Sequence, residues 1–593
     1  MLKSDQRNFV TLAHGRFVSN EVWRACKAGC SEASGKKTLA RSQALARLAP
    51  PGGVYGYDLE FHVGLRRFRD RRQREEVCAE LLDKRGIALS TGEESKLAAR
   101  FIEHLEALHW KRAPQLAQAL RSDGGYLMNI DATGEDGRGT TFVAYDSWRH
   151  WVLGAWKLST ERTDLVLPRI RQVAQAFGPP SAIMRDLGRA MIEAADTLVR
   201  ELKRRIPIFG CHSHFLRDVG KDLLRDLHDQ IRLRLRHHGL RSQLRALVRR
   251  LGREVSAKLP AGRKGVEYWA KSAIEHVLPT GAAGLVAVRA LAQWAVDYAQ
   301  EGDGRGLPFD RPYLDFYRRC RTVRRAADAF LRKPGGDTRV RKELSRLARL
   351  FDPVMQDPAF PKTAAKLVRR AALFDQLRQA LRLNPKATAT PRKVLTPKQA
   401  LVELQDIRQA MERFEQNLRR RRPARGPAQD ERQAIDIVLD HLERHGNSLW
   451  GHAIALPKEA GGGIRLSERT NNALEGFFRR MKQGERRRSG RKVLTYDFEH
   501  LPAGAALVAN LDRPDYVKIL CGSIDRLPQA FAELDAERQQ AAAASQQETD
   551  VECEVLSSSM PLVDRALVRS DNLRACILAA AQSRAPAVAL CSR

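Results

Sequence analysis

From residue 124 to residue 211 the hydrophobic period of this chain switches repeatedly between two and about 3.6, and few folds accommodate the resulting order. Three alternating runs come first, "YLMNID", "TFVAYD" and "WVLGAWKL", the first two joined by the polar turn "ATGEDGRG". An amphipathic stretch, "ERTDLVLPRIRQVAQAFG", follows and stops at Gly178 and two prolines. A short apolar strand "SAIMRD", a helix "LGRAMIEAADTLVREL" and a last strand "IPIFGC" complete the run. Three antiparallel strands feeding alternating helices and strands predict an α/β domain whose mixed sheet is covered by helices.

Two of the predicted strands end in a carboxylate: Asp131 closes the first and Asp186 the fourth. A strand end at a sheet edge leaves the core yet stays on a rigid support, which is where α/β folds place chemistry. Two such carboxylates can share divalent cations, and a third completes a pair of metal sites about 3.5 to 4 Å apart, suited to phosphoryl transfer. Asp also ends strands simply because it starts turns.

Charge indicates the class of substrate. Lys and Arg number 103 against 70 Asp and Glu, a formal net charge of +33, and such a surface seeks polyanions. A hydrophobic content of 43% excludes wholesale disorder, and 593 residues suffice for several cores. Nine cysteines scattered from Cys26 to Cys591 do not read as a disulfide framework, the N-terminus lacks the apolar core of a signal peptide, and no apolar run reaches the ~18 residues of a membrane span. The expected setting is a reducing cytoplasm with no membrane contact, where the abundant polyanions are nucleic acids.

Before the alternating region, residues 1–57 read as an irregular, basic segment ending in the Pro- and Gly-rich boundary "ARLAPPGGVYGYD". Residues 58–120 read as helices, with a turn at Arg85 and Gly86 and a capping box at Ser90 with Glu93 or Thr91 with Glu94. This trihelical unit suits a helix-turn-helix DNA-binding domain or a plain helical packing domain. Cys26 and Cys30 resemble half a zinc ribbon that lacks a second pair nearby.

After "IPIFGC", Cys211 and His214 stand two residues apart in "CHSH", read here as a pair that seats the following helix rather than a metal half-site. Some 250 residues of Arg-rich helical pattern follow, broken by "LNPKATATPRKVLTPKQ" and by "RRRRPARGPAQD", whose arginines 419–422 suit either a solvated face or a DNA backbone. In "SERTNNALEGFFRRMKQGERRRSGRK", a lone carboxylate, Glu475, precedes eight cations, Arg479, Arg480, Lys482, Arg486, Arg487, Arg488, Arg491 and Lys492, against one further acid. Glu475 also has capping-box spacing from Asn472, so a purely structural role is open to it.

Taken together, these residues resemble a bacterial insertion-sequence transposase with a DDE catalytic core, and more specifically the mutator-like group. There the second Asp is followed by Cys or Asp, two residues and His, and here Asp186 lies 25 residues before "CHSH". The resemblance covers roughly residues 60 to 510 and implies an RNase H-like mixed-sheet catalytic core (121–214 and 467–510) interrupted by a large all-α insertion (215–466), with an N-terminal helical DNA-binding domain. It implies that Asp131, Asp186 and Glu475 are catalytic metal ligands for two Mg²⁺ ions, with Mn²⁺ as a substitute. The implied partners are double-stranded DNA, as element ends and as target, and further copies of the chain on that DNA. The implied location is the nucleoid of a bacterial cytoplasm. Residues 511–593 have no assigned role. A metal-dependent nuclease of the same fold that does not join strands, and a non-catalytic DNA-binding regulator, are the alternative readings.

Overall fold

The computed structural model describes residues 3–25, 39–40, 42–135, 137–255, 284–299, 304–383, 397–424, 426 and 428–541. Cys26, Cys30 and most of the C-terminal segment lie outside them, as does most of the Pro-containing break after residue 383. By proximity of its Cα atoms the chain divides into two compact units. Met1–Ser181, Glu193–Arg204 and Ala473–Arg593 make the first, and Ala182–Ile192 with Arg205–Asn472 the second. Among the described residues no helix is long and apolar enough to cross a membrane.

The mixed sheet has five strands: β1 Leu127–Glu135, β2 Arg138–Asp146, β3 Trp151–Lys157, β4 Ala182–Arg185 and β5 Ile208–Gly210, in the order β3-β2-β1-β4-β5. β1, β2 and β3 form an antiparallel meander, and β4 runs parallel to β5. Nearly every residue of Leu127–Asp131, Thr140–Asp146 and Trp151–Trp156 is buried, as expected of a sheet covered on both faces. Helix α1, Thr163–Phe177, packs on β2 and β3 with Val166, Ile170 and Val173 inward. The edge of β3 is closed by Asn510, whose amide accepts from the Val152 N–H at 2.7 Å and donates to the Val152 carbonyl at 2.8 Å. Helix α2, Arg189–Leu202, lies between β4 and β5 in the chain.

The N-terminal segment is not irregular. Lys3–Thr11 and Gly15–Ala25 form an antiparallel hairpin with Phe9 opposite Phe17 and Gly15 in the left-handed region at φ +68°. Polar residues fill most of its first strand, Lys3–Asn8, so no apolar alternation advertised it. The helices after residue 57 stand where their spacing placed them, at Tyr57–Gly64, Arg74–Arg85 and Thr91–Lys111, with Gly86 at φ +64°. Of the two capping boxes, the one at Ser90 forms: the Glu93 N–H donates to Ser90 Oγ at 3.2 Å, and the Ser90 N–H to Glu93 Oε2 at 2.8 Å. Within Thr91–Lys111, Leu97, Phe101, Leu105, Leu108 and the flanking His104 and His109 are buried, and beyond Gly92 only Lys96 and Glu103 are exposed. A recognition helix needs a free face to enter a groove. Most of this helix is buried or half-buried.

In the second unit, helix α3, His212–His237, packs against Ala359–Ala380 around Leu216, Leu223, Leu227 and Ile231. The expectation of a wholly helical segment from 215 to 466 needs one correction. Ala453–Ala455 and Ile464–Leu466 form a short antiparallel hairpin. Gly461, Gly462 and Gly463, all at positive φ, allow the chain to reverse there.

Candidate catalytic carboxylates and their basic helix

Asp131 does not end its strand; it is the fifth of the nine residues of β1. The ladder continues past it because Ala132, Thr133 and Glu135 pair with Phe142, Thr141 and Arg138, leaving only residues 136 and 137 between the strands. Asp131 is 7% exposed, and its Oδ1 accepts the N–H of Ala132 at 2.8 Å. Residues opposite each other in an antiparallel ladder share a face, and alternate residues return to it. Asp131 opposite Val143, and Asn129 opposite Tyr145, therefore point to one side of the sheet.

What covers that side is helix α4, Asn472–Ser489, in whose first turn Glu475 sits. The rings of Tyr145 and Phe477 meet with centroids 6.1 Å apart. Further along α4, Lys482 Nζ donates to the Gly134 carbonyl at 2.8 Å, and Arg486 lies 3.7 Å from the Glu135 carboxylate. Beyond the helix, the Leu494 N–H donates to that same carboxylate at 2.9 Å. The helix of Glu475 is thus tied to both ends of the β-hairpin that carries Asp131.

Asp186 directly follows β4, as its sequence position indicated. Burial pushes its carboxyl above the usual range, while His214, a hydrogen bond from the Gly188 N–H at 3.1 Å and Arg185 pull it down. A carboxylate desolvated to this degree is one whose charge a bound cation would stabilise. Cys211 occupies the N-cap position of α3, with His214 in the first turn. Its Sγ accepts the N–H of Asn471 at 3.2 Å, and the Arg469 carbonyl accepts the N–H of His212 at 3.0 Å. Cys211 thus stands at the start of α3 and holds the residue that leads into α4. The thiol and imidazole of Cys211 and His214 suit zinc-like ions, whereas Mg²⁺ prefers oxygen.

No protein-family model and no curated protein matches this chain.

The eight cations that follow Glu475, expected by the resemblance to a DNA transposase to contact DNA, divide into two groups. Lys482, Arg486, Arg488 and Arg491 are engaged, Arg488 by Glu485 at 3.0 Å and Arg491 by Asp497 at 3.8 Å. Arg479, Arg480, Arg487 and Lys492 are exposed and, among the described residues, form no ion pair. The cations of "RRFRDRR", residues 66–72, lie in a stretch read from the sequence only as helix. The helix instead passes into a π-helical turn at Leu65–Arg69, and Arg67 is buried.

Proposed function

We propose that the chain is a DNA transposase that binds the ends of a mobile element, cuts a strand by hydrolysis and joins the freed 3′-hydroxyl to target DNA. The observation that carries this reading is the sheet face of Asp131, covered by the helix whose first turn bears Glu475. The strand order, an antiparallel meander followed by a parallel pair, supports an RNase H-like core. In this reading Asp131, Asp186 and Glu475 hold two Mg²⁺ ions, or Mn²⁺ in their place. When bound, the ions lower the pKa of an attacking water and stabilise charge on the leaving oxygen.

The chain's own residues supply position and charge. Asp131 is fixed by a paired strand and Asp186 by the end of a second strand. Glu475 is held by a helix anchored through Phe477, Lys482 and Arg486. The exposed Arg479, Arg480, Arg487 and Lys492 lie on that same helix or just past its end, where they can hold the DNA backbone as a reacting phosphate meets the carboxylates. No protein nucleophile is required, because water and then the DNA 3′-hydroxyl attack phosphorus directly. The working form is a homo-oligomer on double-stranded DNA in a bacterial cytoplasm.

A strand-joining assay separated from cleavage tests the reading. Joining of a 3′-hydroxyl end to a second duplex supports a transposase. Cleavage without joining identifies a nuclease, and DNA binding without metal-dependent cutting identifies a regulator.

A further inference from the structure

Beside α4, the first unit contains a pocket of about 150 Å³. One wall is the α4 face of Phe477, Arg480, Met481, Gly484 and Arg488, spaced by three and four residues. The other walls are the π-helical turn and its continuation to Arg71, and the 3₁₀ segment Ala503–Asp512. Apolar side chains and five guanidinium groups line it.

Three of those five are neutralised. Arg67 faces Glu94 at 3.4 Å, Arg69 meets Asp512 at 2.8 Å, and Arg488 meets Glu485 at 3.0 Å. Arg71 and Arg480 form no ion pair or hydrogen bond among the described residues, so the pocket keeps a local excess of two positive charges. The position of Arg71 is specified twice. Its backbone is left-handed, φ 59°, a conformation that non-glycine residues adopt only where their surroundings impose it. Its side chain crosses α4 over Gly484, where a Cβ would stand 2.9 Å from Arg71 Cδ and Nε. Glycine is unfavourable inside a helix by about 1 kcal/mol relative to alanine, and here its lack of a side chain admits the guanidinium.

We propose that this pocket holds a phosphate group of a DNA backbone, with Arg71 and Arg480 as its two charged donors. Guanidinium forks match phosphate oxygens in a way that single ammonium groups do not. The inference rests on the DNA-joining function above and adds a point at which the strand is gripped along the helix that bears Glu475.

The test uses the full chain and fluorescence anisotropy of a labelled duplex across a range of salt concentrations. Arg71→Gln with Arg480→Gln should flatten the slope of log affinity against log salt by about 0.9, the loss of one phosphate contact. Gly484→Val keeps every charge and strengthens the helix but displaces Arg71, and it should weaken DNA binding in the same direction. Arg318→Gln with Arg346→Gln, exposed on the second unit, removes the same charge and should leave the slope unchanged. An unchanged slope in the pocket variant, or equal flattening in both double variants, overturns the proposal. So does a thermal shift of the wild type by inorganic phosphate that the pocket variant loses while its DNA slope stays intact; the ligand would then be a free phosphate. Mg²⁺-dependent cleavage by the wild type is scored separately. Its absence together with a pocket-dependent slope removes the transposase reading and leaves the phosphate site standing.

Discussion

The ring of Tyr145 meets that of Phe477 at a centroid separation of 6.1 Å, so the helix bearing Glu475 lies on the same face of the sheet as Asp131. Phe477 is 5% exposed and Tyr145 3%, which makes this a core contact. A double-mutant cycle of Tyr145→Leu and Phe477→Leu should give a coupling of about 0.5 to 1.5 kcal/mol in chemical unfolding. Phe477→Ala should cost about 3 to 5 kcal/mol. Strict additivity of the two leucine variants would mean that the rings do not anchor the helix.

Cys211 supports the approach to that helix by accepting the Asn471 N–H. Cys211→Ser keeps an acceptor and should fold normally, whereas Cys211→Ala strands a buried donor at a cost of about 1 to 3 kcal/mol. Because the Cys211–His214 pair is read as structural, a chelator should leave the unfolding midpoint where it was. Stoichiometric zinc in the purified protein, with a midpoint that falls on its removal, would instead make the pair metal ligands.

Within the first unit, a buried charge cluster ties the helix of residues 527–541 to the helices Tyr57–Gly64 and Thr91–Lys111. His104 contacts Glu60 at 2.6 Å and Asp535 at 3.2 Å, and the Tyr57 hydroxyl donates to Asp535 at 2.8 Å. Burial alone would lower the His104 pKa, but bonds to Asp535 and Glu60 and their charges raise it from 6.5 to about 9. A raised folded pKa stabilises fully below 6.5, and the contribution fades as pH rises through about 9. The difference in unfolding free energy between wild type and His104→Gln should therefore shrink across that interval, a comparison that cancels the other titrating groups. A difference that grows with pH contradicts the ion pairing.

Much of this was legible in the chain. The helices after residue 57, the capping box at Ser90, the start of the Glu475 helix and the end of β4 at Asp186 follow from local pattern, because caps, glycine turns and hydrophobic period are local properties. Asp131 was placed at a strand end because "ATGE" contains a glycine and polar residues, yet cross-strand pairing with Thr141 and Arg138 carries the strand through it. The N-terminal hairpin was hidden because most of its first strand is polar. The arginine pocket was illegible because it assembles from segments some 400 residues apart, and only their juxtaposition separates the paired guanidiniums from the unpaired ones.

The formal charge of +33 predicts strong, salt-sensitive binding to arbitrary duplex DNA. Six to ten phosphate contacts would lower affinity by about 10³ to 10⁵ between roughly 50 and 200 mM salt. Anisotropy titrations measure this directly, and a flat salt dependence contradicts it.

The central claim concerns three carboxylates, and the most direct measurement is Mg²⁺-dependent cutting of duplex DNA by Asp131→Asn, Asp186→Asn and Glu475→Gln, beside Glu468→Gln and Glu485→Gln. Glutamine at 475 still offers an oxygen to a capping N–H but is a poor Mg²⁺ ligand, so a structural role survives the change and a metal role does not. Glu468 is exposed ahead of the helix, and Glu485 faces Arg488 in the arginine pocket. The predicted result is loss of cutting in the first three variants alone, with DNA affinity and unfolding midpoint close to wild type. Near wild-type cutting by any one of those three would remove that residue from the metal site and contradict the assignment.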